Sequence, residues 1–272
     1  MIFTFPWRSA AAALLAALAL AQPQAANAAT VLLDDMTWPE VRDAMRAGTT
    51  TIIIPVGGTE QNGPHMALGK HNVRAAVLSA RIAEKLGNAL VAPVVNYVPE
   101  GRISPPGGHM RFPGTISVPG DAFAAVVAGA ARSFRQHGFL DIVLLGDSGN
   151  YQGQLREVAQ RLNREWAGTP ARAHFIGAYY QAATDGFNQQ LKAKGLSNAQ
   201  IGVHAGAADT SLMLAVDPRL VRADRLHDGA ALGAAEGVQG DPRRSSAAAG
   251  KSGVDLIVAR TRAAIEKDVQ RR

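Results

Sequence analysis

Apolar residues along the chain occur in short continuous runs that alternate with longer segments of mixed character. Three such runs, over 49–56, 89–98 and 141–145, are rich in Thr, Val, Ile and Leu, and each is followed by Gly or Pro. Runs of this length, bounded by residues that favour turns, predict buried β-strands. The segment 173–180 predicts a fourth strand.

The segments between these runs carry apolar residues three and four positions apart, which is the spacing of an amphipathic helix. The predicted helices extend over 71–86, 121–136, 151–166, 207–216 and 253–269. The Gly- and Pro-rich stretch 99–119 predicts an extended loop or a hairpin. Strands that alternate with helices predict an α/β fold with a mostly parallel sheet covered on both faces. In such folds, functional sites lie at the carboxyl ends of the strands.

The first 28 residues have the layout of a secretory signal peptide. Arg8 precedes a continuous run of small and apolar residues over 9–21, and small residues follow within 26–28. The run is too short to span a bilayer, and an uncleaved anchor is the alternative interpretation. We therefore predict a signal peptide over 1–28 and one α/β domain over 29–272. The mature chain is expected in the periplasm, free of the membrane.

Composition and charge exclude several classes of protein. The chain is 47% hydrophobic and 18% charged, which is enough apolar material for a core and excludes disorder. It has no Cys, which excludes disulfide scaffolds, thiolate metal sites and cysteine nucleophiles. The net charge is +6, but the basic residues are scattered and aromatics make up only 6%. A nucleic-acid partner is therefore not expected.

Polar side chains cluster after the predicted strands. The segment 57–65 follows the first strand, 146–150 follows the third, and 204–211 lies further along the chain. Each combines glycines with Glu, Asp or His, and His71 opens the helix after the first cluster. Carboxylates and imidazoles together are ligands for zinc, manganese or iron. The pattern therefore indicates a divalent-metal site above the sheet.

Five segments, in order, resemble the sequence blocks of the creatininase family. The run PVGGTEQNGPHMALGKH, over 55–71, resembles a block that reads roughly P-x-G-s-x-E-Q-H-G-P-H-L-P-L-x-T-D. Residues 107–117 are similar to E-H-x-x-F-P-G-T-I-S, and LLGDSGN over 144–150 stands where the family has N-G-H-G-G-N. Residues 204–221 resemble H-A-G-x-x-E-T-S-x-M-L-x-L-x-P, and 237–242 match G-V-x-G-D-P. On these blocks the chain is identified as a member of that family.

The resemblance implies a three-layer α/β/α sandwich, assembled into a homo-oligomer such as a hexamer. It also implies hydrolysis of a small non-peptide or cyclic amide by a metal-bound water. The family's metal ligands are altered, however. Glu60 is kept, but the E-x-H histidine is Asn62, the family's Asp is His71, its glycine-loop His is Asp147, and an acid two positions further on is Gly149. The resemblance then implies one divalent ion (zinc, manganese or iron) on Glu60, His71 and Asp147.

Further residues match family positions around the pocket. His204 stands at the position that resembles the general acid/base of creatininase, where an imidazole can protonate a leaving nitrogen. The positions expected to bind substrate or to support the ligands are Asn62, His65, His109, Ser148 and Asp209.

Two other interpretations remain open. The run Gly146-Asp147-Ser148 also resembles the G-D-S motif of serine esterases, with Ser148 as nucleophile and His227 as its base. In those enzymes the motif follows the first strand, whereas here it follows the third, which disfavours this interpretation. The other alternative is an exported binding protein that kept the fold, in which Lys70 and Arg111 hold an anionic ligand.

Overall fold

The computed structural model describes Met1 and residues 30–227 and 233–270. The predicted signal peptide over 1–28, apart from Met1, lies outside the described residues. None of the helices in the described part combines the length and the apolar character that a membrane span requires.

A four-stranded parallel sheet forms the centre of the fold. Its strands are β1 (Thr51–Val56), β2 (Ala89–Val91), β3 (Asp141–Gly146) and β4 (Arg172–Phe175). The spatial order is β2-β1-β3-β4, and each neighbouring pair is parallel. Every residue of β1 and β3 is buried, which is why these strands read as continuous apolar runs instead of alternating patterns.

Helices and short helical turns connect and cover the strands. The helices are α1 (Trp38–Arg46), α2 (Lys70–Leu86), α3 (Gly120–His137), α4 (Gln152–Glu165), α5 (Ala178–Gln181), α6 (Phe187–Ala193), α7 (Asn198–Ile201), α8 (Ala207–Val216), α9 (Ala223–His227) and α10 (Ala247–Val269). A π-helical turn, Ala182–Gly186, joins α5 to α6. Turns of 3-10 helix lie at Leu33–Asp35, Gly108–Arg111, Gly149–Tyr151, Pro218–Leu220, Ala234–Glu236 and Pro242–Arg244.

Alternate residues of the strands pack into two separate hydrophobic cores. Ile52 and Leu144 lie in one core with apolar residues of α3 and α4. Ile53 and Val143 lie in the other, with residues of α2, α8 and α10. Because successive strand side chains point to opposite faces, this division places helices on both sides of the sheet. The predicted three-layer α/β/α sandwich with a parallel sheet is confirmed.

Three predicted strands are shorter than expected. The strand predicted over 49–56 begins only at Thr51. The strand predicted over 89–98 ends at Val91, because Pro93 has no N–H to continue the ladder, and the chain returns to the sheet only through a bridge between Val95 and Val56. The strand predicted over 173–180 ends at Phe175, and helix α5 begins soon after it. The last helix is longer than expected: Ser246 caps it by accepting a hydrogen bond from the Ala249 N–H.

Candidate active site

The carboxyl ends of β1 and β3 open into a cavity of about 550 Å³, where the strand pattern predicted a site. The loop after β1 contributes Glu60 to its wall, and the loop after β3 contributes Asp147. Helix α2 adds Lys70 and His71 from its first turn, and α8 adds Asp209 from its own first turn. Segments far apart in sequence therefore bring acidic and basic groups to one place.

His71 lies between two carboxylates. Its Nδ1 is 2.6 Å from Asp147 Oδ2, and its Nε2 is 2.8 Å from Glu60 Oε1. Burial and the charge of Lys70 lower the pKa of His71, but the charge of Glu60 and the two hydrogen bonds outweigh them, so the net pKa is raised. An imidazolium that donates from both nitrogens satisfies both carboxylates.

Two permanent cations complete this cluster. The Arg74 Nε lies 2.9 Å from Asp147 Oδ2, and its Nη1 lies 3.0 Å from Asp209 Oδ1. The Lys70 Nζ lies 2.9 Å from Asp209 Oδ2 and 3.7 Å from Glu60 Oε1. Lys70 is only 1% exposed, and Arg74 3%, so both charges depend on these carboxylates for compensation. We call the six residues the inner network: Glu60, Lys70, His71, Arg74, Asp147 and Asp209.

Two histidines face Glu60 from the cavity side. His109 Nε2 is 3.2 Å from Glu60 Oε2, and His204 Nδ1 is 3.6 Å from Glu60 Oε1. Burial, helped by the charge of Lys70, lowers the pKa of His204 to about 4. Burial also lowers the pKa of His109. Both rings are therefore neutral at pH 7, which is the form in which imidazole binds a metal ion.

Gln61 orients both of these rings. Its side-chain Nε2 donates to His109 Nδ1 over 3.1 Å. Its backbone oxygen lies 2.9 Å from the Nε2 of His204 and accepts from it. This hydrogen bond leaves the lone pair of His204 on Nδ1, the nitrogen that faces Glu60. We call Glu60, His109 and His204 the outer triad.

The structure places the three predicted metal ligands in contact, but it does not direct them toward a common point. His71 separates Glu60 from Asp147, with one carboxylate on each ring nitrogen. Asp147 also accepts from Arg74 and, at 2.6 Å, from the Tyr179 hydroxyl. In the described part of the chain, the side chains whose ligand atoms lie within 4.8 Å of one another are those of the outer triad. An ion on Glu60, His71 and Asp147 stays a prediction, and it would have to displace these hydrogen bonds.

Of the other predicted residues, some line the cavity and others hold the surrounding segments in place. Asn62 is buried, and its Nδ2 donates to the Glu60 and Ala67 carbonyls, so it holds the loop after β1. His65 is also buried, with Nε2 3.0 Å from the Thr210 hydroxyl, and burial lowers its pKa to about 4. Ser148 lines the cavity, as His109 does. Asp209 belongs to the inner network. Substrate binding by these residues stays a prediction.

Sequence reasoning missed two members of the site. Arg74 lies three residues after His71 on α2, so the helical spacing could have placed it beside Asp147. Basic side chains at a helix N-terminus also oppose the helix dipole, and such a local conflict is a signal of a functional site. The other is Glu100, 2% exposed, whose pKa is raised to about 8 by burial and by the charge of Glu60. It lies in the irregular segment 99–119, where no periodicity identifies it.

The geometry gives little support to the serine esterase or to the binding protein in which Lys70 and Arg111 hold an anion. The Ser148 Oγ accepts from the Asn150 N–H, and among the described side chains no histidine contacts it. The side chain of His227, its predicted base, lies outside the described ones. Lys70 is buried in ion pairs, while Arg111 is exposed and donates to the Gly108 carbonyl, so the two do not form an anion clasp.

Comparison with known sequences agrees with this architecture. The family model Creatininase, described as creatinine amidohydrolase, matches residues 34–265. Creatinine amidohydrolase of Pseudomonas putida is 32% identical over 205 residues, which is 73% of this chain and 76% of that protein. A mycofactocin precursor peptide peptidase of Mycobacterium ulcerans is 27% identical over 239 residues, which is 79% of this chain and 80% of that protein.

Solved structures of creatininase share the fold. A mutant creatininase superposes with a TM-score of 0.75 at 28% identity, covering 88% of this chain and 99% of its own. A mutant described as Zn-Zn type and a structure described as creatininase Mn each give a TM-score of 0.72 at 27% identity, covering 88% of this chain and 98% of theirs. The matched family model extends over nearly the whole predicted domain, and the solved creatininases superpose on 88% of the chain. The chain therefore belongs to the creatininase family.

Proposed function

We propose that this protein is an amidohydrolase that cleaves a carbon–nitrogen bond of a small non-peptide or cyclic amide, using one divalent ion held by the outer triad. The observation that carries this proposal is the convergence of one Glu60 oxygen and two imidazole nitrogens within 4.8 Å of one another. Family membership supports the hydrolase class, and relatives described as Zn-Zn type and Mn creatininase support a zinc or manganese ion.

The donors of the outer triad suit such an ion. Glu60 Oε1 is engaged by His71, while Oε2 faces His109 and is the oxygen available for coordination. The imidazoles of His109 and His204 are neutral at pH 7. Two histidines and one carboxylate leave coordination positions open for water and substrate, as in known catalytic zinc sites. To bind through Nε2, neutral His109 would have to carry its proton on Nδ1, the nitrogen that lies 3.1 Å from Gln61 Nε2.

The chemistry divides between the ion and the protein. A bound divalent ion lowers the pKa of water toward 7 and polarises an amide carbonyl. Glu60 Oε1 and His71 Nε2, 2.8 Å apart, hold a proton at the inner side of the cavity. With its pKa lowered to about 4, His204 is a neutral imidazole at pH 7, which favours ligation over the predicted role of general acid.

The rest of the cavity favours a small polar substrate. Its volume of about 550 Å³ lies within the usual range of small-molecule sites. The π-helical turn and α6 also line the cavity, with Thr184, Asp185 and Asn188. A π-helical turn is a frequent feature of functional sites. These polar groups, together with the outer triad, suit an amide with hydrogen-bonding substituents more than an apolar ligand.

Metal analysis tests the proposal. The purified protein should hold or take up one zinc or manganese ion per chain, measured by inductively coupled plasma mass spectrometry and by titration calorimetry. The His109→Ala and His204→Ala variants should each lose at least tenfold in affinity, because each removes one of three ligands. His137→Ala, which removes an exposed histidine far from the cavity, serves as the matched control. No ion above background, and none retained on titration, would contradict the proposal.

A second candidate is a non-catalytic binding protein. It is favoured by the inner network, which already balances its own charges with Lys70, His71 and Arg74. Chelation separates the two functions, because loss of an ion that binds only the native state lowers the thermal midpoint. A midpoint that EDTA leaves unchanged, together with no hydrolysis across a panel of amides and lactams, would favour the binding protein.

We also propose that the mature chain works in the periplasm as a homo-oligomer. The signal-peptide pattern over 1–28 supports export, and the resemblance to creatininases supports assembly into hexamers. N-terminal sequencing of the protein from a periplasmic extract should begin at Ala29. Light scattering of the same sample measures the number of chains, and a monomer would contradict the assembly.

A further inference from the structure

The inner network engages five of the six carboxylate oxygens of its own members. Both oxygens of Asp147 accept hydrogen bonds, from Arg74 and Tyr179 on Oδ1 and from His71 and Arg74 on Oδ2. Asp209 Oδ1 accepts from Arg74, and Asp209 Oδ2 accepts from both Lys70 and the Ala205 N–H. Within this network, the oxygen that faces away from the other members is Glu60 Oε2.

The carboxylates of the network already have cationic partners. Glu60 and Asp209 lie within ion-pair distance of Lys70, and Asp147 and Asp209 lie within ion-pair distance of Arg74. His71 places one ring nitrogen 2.6 Å from Asp147 Oδ2 and the other 2.8 Å from Glu60 Oε1. A divalent ion placed among these groups would have to share the carboxylates with two buried permanent cations, which is strongly unfavourable.

We propose that Lys70 and Arg74 occupy the electrostatic place of a metal ion in this cavity, so that the inner network excludes a divalent cation and the protein binds no more than one, at the outer triad. The location of that one ion rests on the proposed function, whereas the exclusion rests on the network alone. Because these cations are covalent parts of the chain, the carboxylates are compensated as soon as the protein folds. The fold and the cavity should therefore form without metal.

Lys70 is the sharper test of this proposal. Its Nζ lies 3.7 Å from Glu60 Oε1, so its charge repels any cation that approaches Glu60. Lys70→Met removes this charge and leaves a side chain of similar length. The variant should bind Zn²⁺ at least tenfold more tightly than the wild type or take up one additional ion per chain, measured by titration calorimetry on chelator-treated protein.

Two controls isolate the charge. Lys70→Arg keeps the positive charge and should bind Zn²⁺ with the wild-type stoichiometry and within threefold of the wild-type affinity. Lys85→Met makes the same substitution at an exposed position of the same helix and should change neither quantity. Two ions per wild-type chain, or unchanged stoichiometry and affinity in Lys70→Met, would overturn the proposal.

A spectroscopic measurement on the wild type does not depend on any variant folding. The His71 ring should give a slowly exchanging, downfield N–H signal in the NMR spectrum of chelator-treated protein, because both ring nitrogens face buried carboxylates. This signal should persist when Zn²⁺ is added to saturation, and its loss would show that the ion enters the inner network. If the wild type binds no Zn²⁺, the proposed function is refuted but the exclusion is not. In that case Lys70→Met decides the exclusion: a gained ion supports it, and no gained ion refutes it.

Discussion

Replacing Arg74 with Met should be among the most destabilising single changes in the cavity. The guanidinium of Arg74 lies 2.9 Å from Asp147 Oδ2 and 3.0 Å from Asp209 Oδ1, and the side chain is 3% exposed. Removing one partner from a buried ion pair costs roughly 3–5 kcal/mol, because the other charge stays desolvated without compensation. Asp209 is 20% exposed at its side chain, so water can compensate part of its loss. We therefore expect the lower half of this range.

The free energy of unfolding should be measured by urea denaturation at pH 7, with circular dichroism as the signal. Domains of this kind unfold with total free energies of about 5–15 kcal/mol, so a loss of about 3–4 kcal/mol is easily resolved. Arg81→Met, on the same helix but outside the network, is the matched control and should cost less than about 1 kcal/mol.

The loss should also depend on pH in a defined direction. Burial raises the pKa of Asp209, but the charges of Lys70 and Arg74 outweigh it and hold this pKa well below 3.8. A depressed carboxyl pKa stabilises the fold above the unfolded pKa, and that stability disappears as the pH falls through the folded pKa. The difference between wild type and Arg74→Met should therefore narrow below pH 4. A loss under 1 kcal/mol at pH 7, or a difference that stays constant down to pH 3, would refute the reasoning.

Two further predictions test neighbouring features. The pKa of Glu100 is raised to about 8, so the unfolded chain loses this proton near pH 4.5 while the folded chain keeps it, and the free energy of unfolding falls as the pH rises between these values. Glu100→Gln should reduce this fall by about 2–4 kcal/mol between pH 5 and pH 8. Parallel curves of unfolding free energy against pH for wild type and variant would contradict this prediction. A Cβ at Gly250 would meet the Ser211 carbonyl oxygen where α10 crosses α8, so Gly250→Ala should cost about 1–3 kcal/mol in thermal or urea unfolding, whereas Gly129→Ala, in open space on α3, should cost nothing measurable.

The layers of the fold follow from local pattern and could be predicted. Continuous apolar runs identified β1 and β3 because both faces of these strands are covered, and the ten-residue helix α8 was predicted with its observed bounds. The predicted end of β2 was wrong because the apolar run continues past Pro93, which has no N–H to continue the ladder. The predicted end of β4 was wrong because it depends on which neighbouring strand offers hydrogen-bond partners, and periodicity does not report such contacts between residues distant in sequence.

The cavity, too, could be predicted only in part. Its place and most of its residues could be predicted, because parallel strand ends meet at one edge and Glu60, His71 and Asp147 follow or adjoin those strands. The contacts that each of these residues makes could not be predicted. The exchange of Asp and His between positions 71 and 147 suggested a preserved metal site, but Arg74 and Lys70 were needed to see that these groups neutralise one another.

The location of the bound ion tests the central claim most directly. Crystals grown with Zn²⁺ and measured at the zinc absorption edge give an anomalous difference map that identifies each zinc position. We predict one peak per chain, within bonding distance of Glu60 Oε2, His109 Nε2 and His204 Nδ1, with His71 still hydrogen-bonded to Glu60 and Asp147. A peak between Glu60 and Asp147, or two peaks in one cavity, would contradict the account.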